Sequence, residues 1–257
     1  MSTLLAATLS TLVFCAPGYP GGAEDAQPLL DQFASAAAAA SGLPAGSLAA
    51  VYDPTEAGGL AKLEQAGTAL AFVPYPFFIM HAAQLHLVPL VEADMMDIGP
   101  QQRWTLVAKA GRVTGPQSLA GYTILSVAGY APDFVRHGAL EAWALPSDVK
   151  IESTGQVLSA LRRVAAGEPV AVLLDQTQTG ALASLPFAAE LKAVIQSPEL
   201  PVAIIAVVDS RLPASRAHAL QTGLLKMGHD RGSADALAPL RLHGFVLPKL
   251  PSHASSP

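Results

Sequence analysis

The histidines of this 257-residue chain are the first side chains to consider for chemistry, because imidazole serves both as a metal ligand and as a proton-transfer group. His81 and His86 are five residues apart, a spacing that does not stack them on one face of a helix. His137 and Glu141 have the i, i+4 spacing on a predicted helix and could relay a proton, although this spacing more often gives a solvent-facing pair. The sequence therefore predicts no metal site and no bound cofactor.

The chain also lacks the common catalytic and nucleotide-binding motifs. It contains no Gly-x-Ser-x-Gly elbow, no P-loop, no Gly-x-Gly-x-x-Gly after a strand and no His-Glu-x-x-His helix. Cys15 is the only cysteine, which excludes an internal disulfide and a zinc ribbon. The net charge is -5 and no Lys or Arg precedes Lys62, so we expect no nucleic-acid partner. These absences favour a protein that is not an enzyme.

Composition indicates a well-packed interior, since 51% of the residues are hydrophobic and only 14% are charged. Residues 4–16 are apolar enough to imitate the core of a secretory signal, but no positive residue precedes them. Residues 11–14 are rich in strand formers and are better interpreted as the first buried strand. We therefore expect that an export signal is absent from this chain or has been removed from it.

Short apolar stretches alternate with helical stretches along most of the sequence. The predicted strands are 11–14, 48–52, 70–73, 86–91, 104–108, 122–125, 149–152, 170–174, 191–195 and 202–208. The predicted helices begin at 24, 77, 133, 156, 177, 213 and 233, and a further helix follows residues 53–56 and ends near Gly67. A polar loop is expected over 92–102. This alternation predicts an α/β fold with mixed sheets flanked by helices.

Ligands of such sheets bind beyond the carboxyl ends of the strands, so the loops that follow the predicted strands supply the candidate site. The candidate ligand-binding residues are Tyr19, Tyr52, Asp53, Tyr75, Phe77, Ser126, Gly129, Tyr130, Asp175 and Gln176. For several of them a structural role is also open. Asp53 and Asp175 could cap helices, Tyr75 lies between two prolines and could pack a turn, and Phe77 belongs to an apolar helix.

The order of several short segments resembles the phosphonate-type (PhnD-like) branch of the type II substrate-binding proteins of ABC transporters. The segments are Val51-Tyr52-Asp53, then Ala71-Phe72-Val73-Pro74-Tyr75, then Gln102-Arg103-Trp104-Thr105-Leu106-Val107, and finally Gln117-Ser118-Leu119-Ala120-Gly121-Tyr122-Thr123. The resemblance covers residues 11–247. It implies lobe I at 1–106 plus 202–257 and lobe II at 107–201, joined by two crossing hinge strands.

The resemblance also implies a function. A member of this family is a periplasmic or extracytoplasmic monomer that captures a small molecule in an interlobe cleft and delivers it to the membrane permease of an ABC importer. An enzyme on the same two-lobed fold, with Asp175 as the base, and a ligand-sensing domain of a receptor or regulator are the alternatives.

The sequence departs from the family where the anion should be bound. The family carries a run of small hydroxyl residues at the start of the lobe II helix, whereas this chain has Ser126-Val127-Ala128-Gly129-Tyr130. The loop after the first strand likewise reads Pro17-Gly18-Tyr19-Pro20. We therefore expect an uncharged or partly apolar ligand held by tyrosines, not a simple phosphonate.

Overall fold

The computed structural model describes residues 9–19 and 22–249, so residues 4–8 of the N-terminal apolar stretch lie outside the described residues. The chain divides into two compact units. Of the described residues, the first unit contains 9–16, 22–100 and 201–249, and the second contains 17–19 and 101–200. Within the described part of the chain, no helix combines the length and the apolar character needed to cross a bilayer.

The secondary-structure elements follow one another along the chain as the alternating pattern predicts. The strands are β1 (Ser10–Cys15), β2 (Leu48–Asp53), β3 (Thr68–Pro74), β4 (Val88–Met95), β5 (Gln101–Gln102), β6 (Thr105–Lys109), β7 (Thr123–Ser126), β8 (Lys150–Ser153), β9 (Val170–Leu174), β10 (Leu191–Gln196), β11 (Leu200–Pro201), β12 (Ala203–Val207) and β13 (Leu242–Val246). The helices are α1 (Ala23–Ala40), α2 (Glu56–Leu63), α3 (Tyr75–His81), α4 (Val157–Ala166), α5 (Gln176–Gly180), α6 (Ala214–Leu224) and α7 (Arg231–Leu237). Single 3-10 turns occur at Pro116–Leu119, Leu182–Ser184, Ala188–Glu190 and Ala238–Leu240.

The first unit is built on a six-stranded mixed sheet with the order β13-β4-β12-β3-β1-β2. Strand β1 pairs in parallel with both β2 and β3, and β12 runs antiparallel between β3 and β4. Helix α1 covers this sheet because one of its faces is apolar, and its fully buried Phe33 meets the edge of the Phe14 ring at a centroid distance of 5.4 Å. Burial of a side chain of this size stabilises the unit by about 2–3 kcal/mol.

The second unit contains a five-stranded sheet with the order β10-β6-β9-β7-β8. Strands β7, β8 and β9 are parallel, whereas β6 is antiparallel to both β9 and β10. Leu161 and Val164 of α4 are buried against the apolar residues of this sheet. The second unit begins at 101 apart from residues 17–19, and it includes β6, which pairs with β9 and β10.

Three predictions at the level of elements need correction. The polar loop expected at 92–102 is partly a strand, because β4 continues to Met95 while pairing with β13, a strand that the sequence did not predict. The helix expected at 133–143 is a short π-helix, Phe134–Ala139. Gly138 weakens a regular helix there. The helix expected at 177–185 is the shorter α5, followed by a 3-10 turn.

Candidate functional site

The carboxyl ends of the parallel strands in the second unit bring three loops to one edge of the sheet. Ser126 ends β7 and pairs with Ser153 at the end of β8, while Leu125 pairs with Val172 near the end of β9. We call the residues at this edge the carboxyl-end cluster and define it as Tyr19, residues 126–130, Gly155, Asp175 and Gln176. It contains six of the ten residues that the sequence predicted.

Residues 17–19 belong to the second unit although they directly follow β1 of the first. Gly18 has a φ of +84°, and a Cβ placed on it would lie 2.7 Å from the carbonyl oxygen of Val127. Only glycine combines that backbone conformation with so close an approach. The carbonyl oxygen of Gly18 in turn lies beside Gly155, which follows β8. The segment is thus packed against the loops after both β7 and β8, and this fixes the position of Tyr19.

The Tyr19 hydroxyl donates a hydrogen bond of 3.2 Å to Oδ2 of Asp175. Burial raises the pKa of the Tyr19 phenol, and the neighbouring Asp175 charge raises it further. Burial likewise raises the pKa of Asp175, although the hydrogen bonds that its carboxylate accepts from Gln178 and Tyr19 oppose the shift. A phenol and a buried carboxyl group therefore form the polar centre of the cluster.

Asp175 also caps α5, as the sequence allowed. Its Oδ1 accepts a 2.7 Å hydrogen bond from the backbone N–H of Gln178, and the Gln178 side chain accepts one from the backbone N–H of Asp175. This reciprocal arrangement is a capping box. The neighbouring Gln176 accepts a 3.2 Å hydrogen bond from the backbone N–H of Arg103 through its Oε1. The loop after β9 is consequently held rigidly at both of its predicted site residues.

Ser126 and Gly129 set the shape of the loop after β7. The fully buried Ser126 hydroxyl donates to the carbonyl oxygen of Leu173 at 2.8 Å and accepts from the backbone N–H of Ala128 at 3.1 Å. A Cβ on Gly129 would lie 2.1 Å from the carbonyl oxygen of Glu152 in β8, so the loop can approach β8 this closely only with glycine. The one small hydroxyl group of residues 126–130 is thus engaged inside the protein.

In the first unit, Asp53 stands at the end of β2 and is mostly buried. Its carboxylate accepts hydrogen bonds from the backbone N–H and the hydroxyl of Thr55, at 2.9 and 2.7 Å, and forms an ion pair with Lys62. Burial alone would raise the pKa of Asp53, but the hydrogen bonds from Lys62 and Thr55 hold it below its usual value. Thr55 caps α2 through Gly58, so Asp53 anchors the start of that helix.

Sequence reasoning missed the partners of two titratable side chains beside Asp53. The Cys15 thiol contacts the carbonyl oxygen of Thr55 at 3.4 Å, and burial, together with the charges of Asp53 and Glu56, raises its pKa to about 12. His81 Nε2 lies 3.0 Å from Glu56 Oε1. No spacing rule links residues so far apart in sequence. Among the described residues, no group of three or more His, Cys, Asp or Glu side chains is arranged to hold a metal ion.

The predicted aromatic residues of the first unit lie mainly in its interior. Phe77 is fully buried, with its ring centroid 4.6 Å from that of His81. Tyr75 is buried at the start of α3, where its ring stacks on Phe78 and its backbone N–H donates to the carbonyl oxygen of Val202. Tyr52 remains partly accessible, and burial raises its pKa. In the second unit, Tyr130 is also partly accessible.

Comparison with known proteins gives matches only at the level of structure. No protein-family model and no curated protein matches the sequence. A Xanthomonas citri protein bound to chloride ion aligns with a TM-score of 0.67 at 16% identity, covering 95% of this chain and 93% of that chain. The binding-protein component of an ABC phosphonate transporter from Pseudomonas aeruginosa gives 0.58 at 14% identity, covering 92% and 81%.

PhnD1 from Prochlorococcus marinus in complex with methylphosphonate aligns with a TM-score of 0.59 at 10% identity, covering 93% of this chain and 92% of that chain. The alignments extend over nearly the whole of this chain, and therefore over both of its units. The chain has the two-lobed α/β fold of the type II periplasmic solute-binding proteins.

Proposed function

We propose that the protein is a solute-binding protein that captures a small molecule and delivers it to the membrane permease of an ABC importer. The observation that carries the proposal is the carboxyl-end cluster, in which a tyrosine hydroxyl and a buried carboxyl group meet where α/β sheets bind ligands. The fold and the sequence resemblance to the phosphonate-type (PhnD-like) branch support it. The protein would act as a periplasmic or extracytoplasmic monomer.

The proposal includes the division into two lobes. Lobe I would comprise residues 1–106 plus 202–257 and lobe II residues 107–201. Ligand binding would stabilise the closed form through its higher affinity for that form. Tyr19, Tyr130, Asp175 and Gln176 would be the contacts from the carboxyl-end cluster, and Tyr52 the most accessible contact of the first unit.

The ligand would not be a simple phosphonate. An anion of that kind is bound by hydroxyl groups and free backbone N–H groups. Here the Ser126 hydroxyl already bonds Leu173 and Ala128, and the backbone N–H of Gly129 donates to the carbonyl oxygen of Ser126 at 3.1 Å. The Asp175 carboxyl group in the same cluster supplies hydrogen-bond acceptors, whereas a phosphonate needs donors.

The geometry of Asp175 favours binding over catalysis. A base that took up a proton would weaken the hydrogen bonds that its carboxylate accepts. Both oxygens of Asp175 already accept hydrogen bonds, from Gln178 and from Tyr19, and the first of these fixes the start of α5. These contacts support a positioning and binding role for Asp175.

Thermal-shift measurements over phosphonates, sugars, amino acids and apolar metabolites test the proposal. A ligand present at a hundredfold excess over its Kd stabilises the folded state by about 2.7 kcal/mol and raises the melting temperature. If no compound of any class does so, and small-angle scattering shows no ligand-dependent compaction, the solute-binding function is wrong.

A pair of tyrosine variants would locate the site. Tyr130→Ala is expected to weaken ligand binding by about 1–3 kcal/mol, because aromatic contacts carry much of the binding energy of such sites. Tyr122→Ala is the matched control, since Tyr122 is also partly accessible but lies just before β7, at the opposite end of the strand. Equal affinity of the two variants for the ligand would show that the site lies elsewhere.

A further inference from the structure

The buried carboxylate of Asp175 has no cationic partner within the described residues. Its carboxylate accepts hydrogen bonds from neutral donors, namely the backbone N–H groups of Gln178 and Thr177 and the hydroxyl of Tyr19. The nearby Arg103 guanidinium instead bonds the carbonyl oxygen of Ser197 and the carboxylate of Glu199. Buried carboxylates are ordinarily paired with a cation, because removing the charge from water is costly. Among the described residues, Asp175 therefore has no cation to neutralise its charge.

The hydrogen bond from Tyr19 leaves the carboxylate with acceptor capacity. An O–H donor to a charged carboxylate usually approaches to about 2.5–2.7 Å, whereas the Tyr19 hydroxyl lies 3.2 Å from Oδ2. A carboxylate offers about four lone-pair positions, and the hydrogen bonds from Gln178, Thr177 and Tyr19 use at most three of them. Tyr19 as a whole residue is 37% exposed, although its hydroxyl is desolvated beside Asp175.

The remainder of the cluster offers few donors for an anion. In the loop after β7, the backbone N–H groups of Ala128 and Gly129 donate to Ser126, and that of Ala131 donates to Ala128. The only small hydroxyl group there, that of Ser126, is fully buried and donates to Leu173. Hydrogen-bond acceptors and negative charge thus predominate over free donors in the carboxyl-end cluster, where the sequence resemblance alone would place an anion-binding loop.

From these observations we propose that the solute is a small organic cation whose N–H groups donate to the carboxylate of Asp175. Ammonium and guanidinium groups both satisfy this requirement, since each combines positive charge with several donors. The ligand cation neutralises the buried charge, and Tyr19 covers the contact. This inference rests on the proposed solute-binding function and specifies the ligand class of the same site.

Calorimetric titration of the full chain with four probes tests the inference. Agmatine and L-arginine are the cationic probes, L-citrulline is the neutral analogue of arginine, and methylphosphonate is the anionic probe. We expect binding of at least one cationic probe and at least tenfold weaker binding of citrulline and methylphosphonate. Tighter binding of citrulline or methylphosphonate than of both cations would overturn the inference.

Asp175→Asn is the decisive variant, because asparagine keeps the shape of the side chain and is an equally good helix cap. It is expected to weaken cation binding at least tenfold while leaving the melting temperature of the unliganded protein within a few degrees of wild type. Asp148→Asn is the matched control, because Asp148 is an exposed carboxylate just before β8, outside the carboxyl-end cluster, and its loss should leave cation affinity unchanged. Unchanged cation affinity in Asp175→Asn would overturn the inference.

The outcomes separate the ligand class from the broader function. If a neutral or anionic compound binds wild type and Asp175→Asn equally, and no cation binds, the cation inference is wrong and the solute-binding function stands. If no compound of any charge binds, both are wrong. The wild-type protein and both variants must show the same circular dichroism spectrum, which establishes that each is folded.

Discussion

Replacing Ser126 by alanine tests whether this serine is part of the loop's internal architecture or a ligand for an anion. The hydroxyl is fully buried and makes two hydrogen bonds, one to the carbonyl oxygen of Leu173 and one from the backbone N–H of Ala128. Alanine removes both bonds and leaves the Ala128 N–H buried without its acceptor. The loop after β7 should therefore lose its fixed conformation in the variant.

The magnitude follows from the two contacts. Each intramolecular hydrogen bond contributes about 1 kcal/mol net, and a buried polar group left without a partner costs about 1–3 kcal/mol. Because Ser126→Ala breaks two hydrogen bonds and leaves the Ala128 N–H without an acceptor, we expect the free energy of unfolding of the second unit to fall by about 2–4 kcal/mol.

Urea denaturation followed by tryptophan fluorescence measures this change directly. Both tryptophans of the chain, Trp104 and Trp143, lie in the second unit, so the signal reports that unit. Ser184→Ala is the matched control, because the Ser184 hydroxyl also donates to a backbone carbonyl but at an exposed position. The control should change stability by less than about 0.5 kcal/mol. A Ser126→Ala effect as small as that of the control would refute the structural role of Ser126.

Three further predictions concern other residues near the ends of the strands. Gly129→Ala should destabilise the protein by about 3 kcal/mol, because the added Cβ would meet the Glu152 carbonyl oxygen. In the same denaturation assay Gly180→Ala should be neutral or slightly stabilising, because a Cβ there meets no described atom within 4 Å. The buried Cys15 thiol, with its pKa raised to about 12, should resist a thiol-disulfide reagent at pH 8 in the native protein and react after addition of urea; rapid native labelling would contradict its burial. Because the pKa of Asp53 is lowered in the folded state, its contribution to stability is present above the unfolded pKa and is lost as the pH falls through the folded pKa. Asp53→Asn should therefore reduce the loss of stability on the acid side of a stability-against-pH profile, and an unchanged profile would contradict this.

The sequence predicted the alternation of strands and helices well because that signal is local. The first strand at 11–14 and the α1 helix that begins with acidic residues are confirmed as β1 and α1. Hydrophobic period, turn residues and capping residues act within a few positions, so they can be recognised without the tertiary structure. The short strand β13 was not predicted from the sequence, because its strand conformation depends on pairing with β4.

Within the candidate site, the sequence identified the loops but not the contacts. It selected Tyr19 and Asp175 separately, by their positions after strands, and the capping role of Asp175 was visible from its place before a helix. The hydrogen bond between them joins residues 156 positions apart. Such a contact depends on how the segment at 17–19 packs, and that in turn depends on Gly18 fitting against Val127.

The sequence by itself determined the fold class, and it predicts ligand binding at the carboxyl ends of the strands. The tertiary structure decided which side chains at those edges are engaged. It buried the Ser126 hydroxyl, paired His81 with Glu56, and, within the described part of the chain, gave Asp175 neutral partners. The physical reason is that secondary structure follows from local periodicity, whereas the partner of a polar side chain is set by the packing of distant segments.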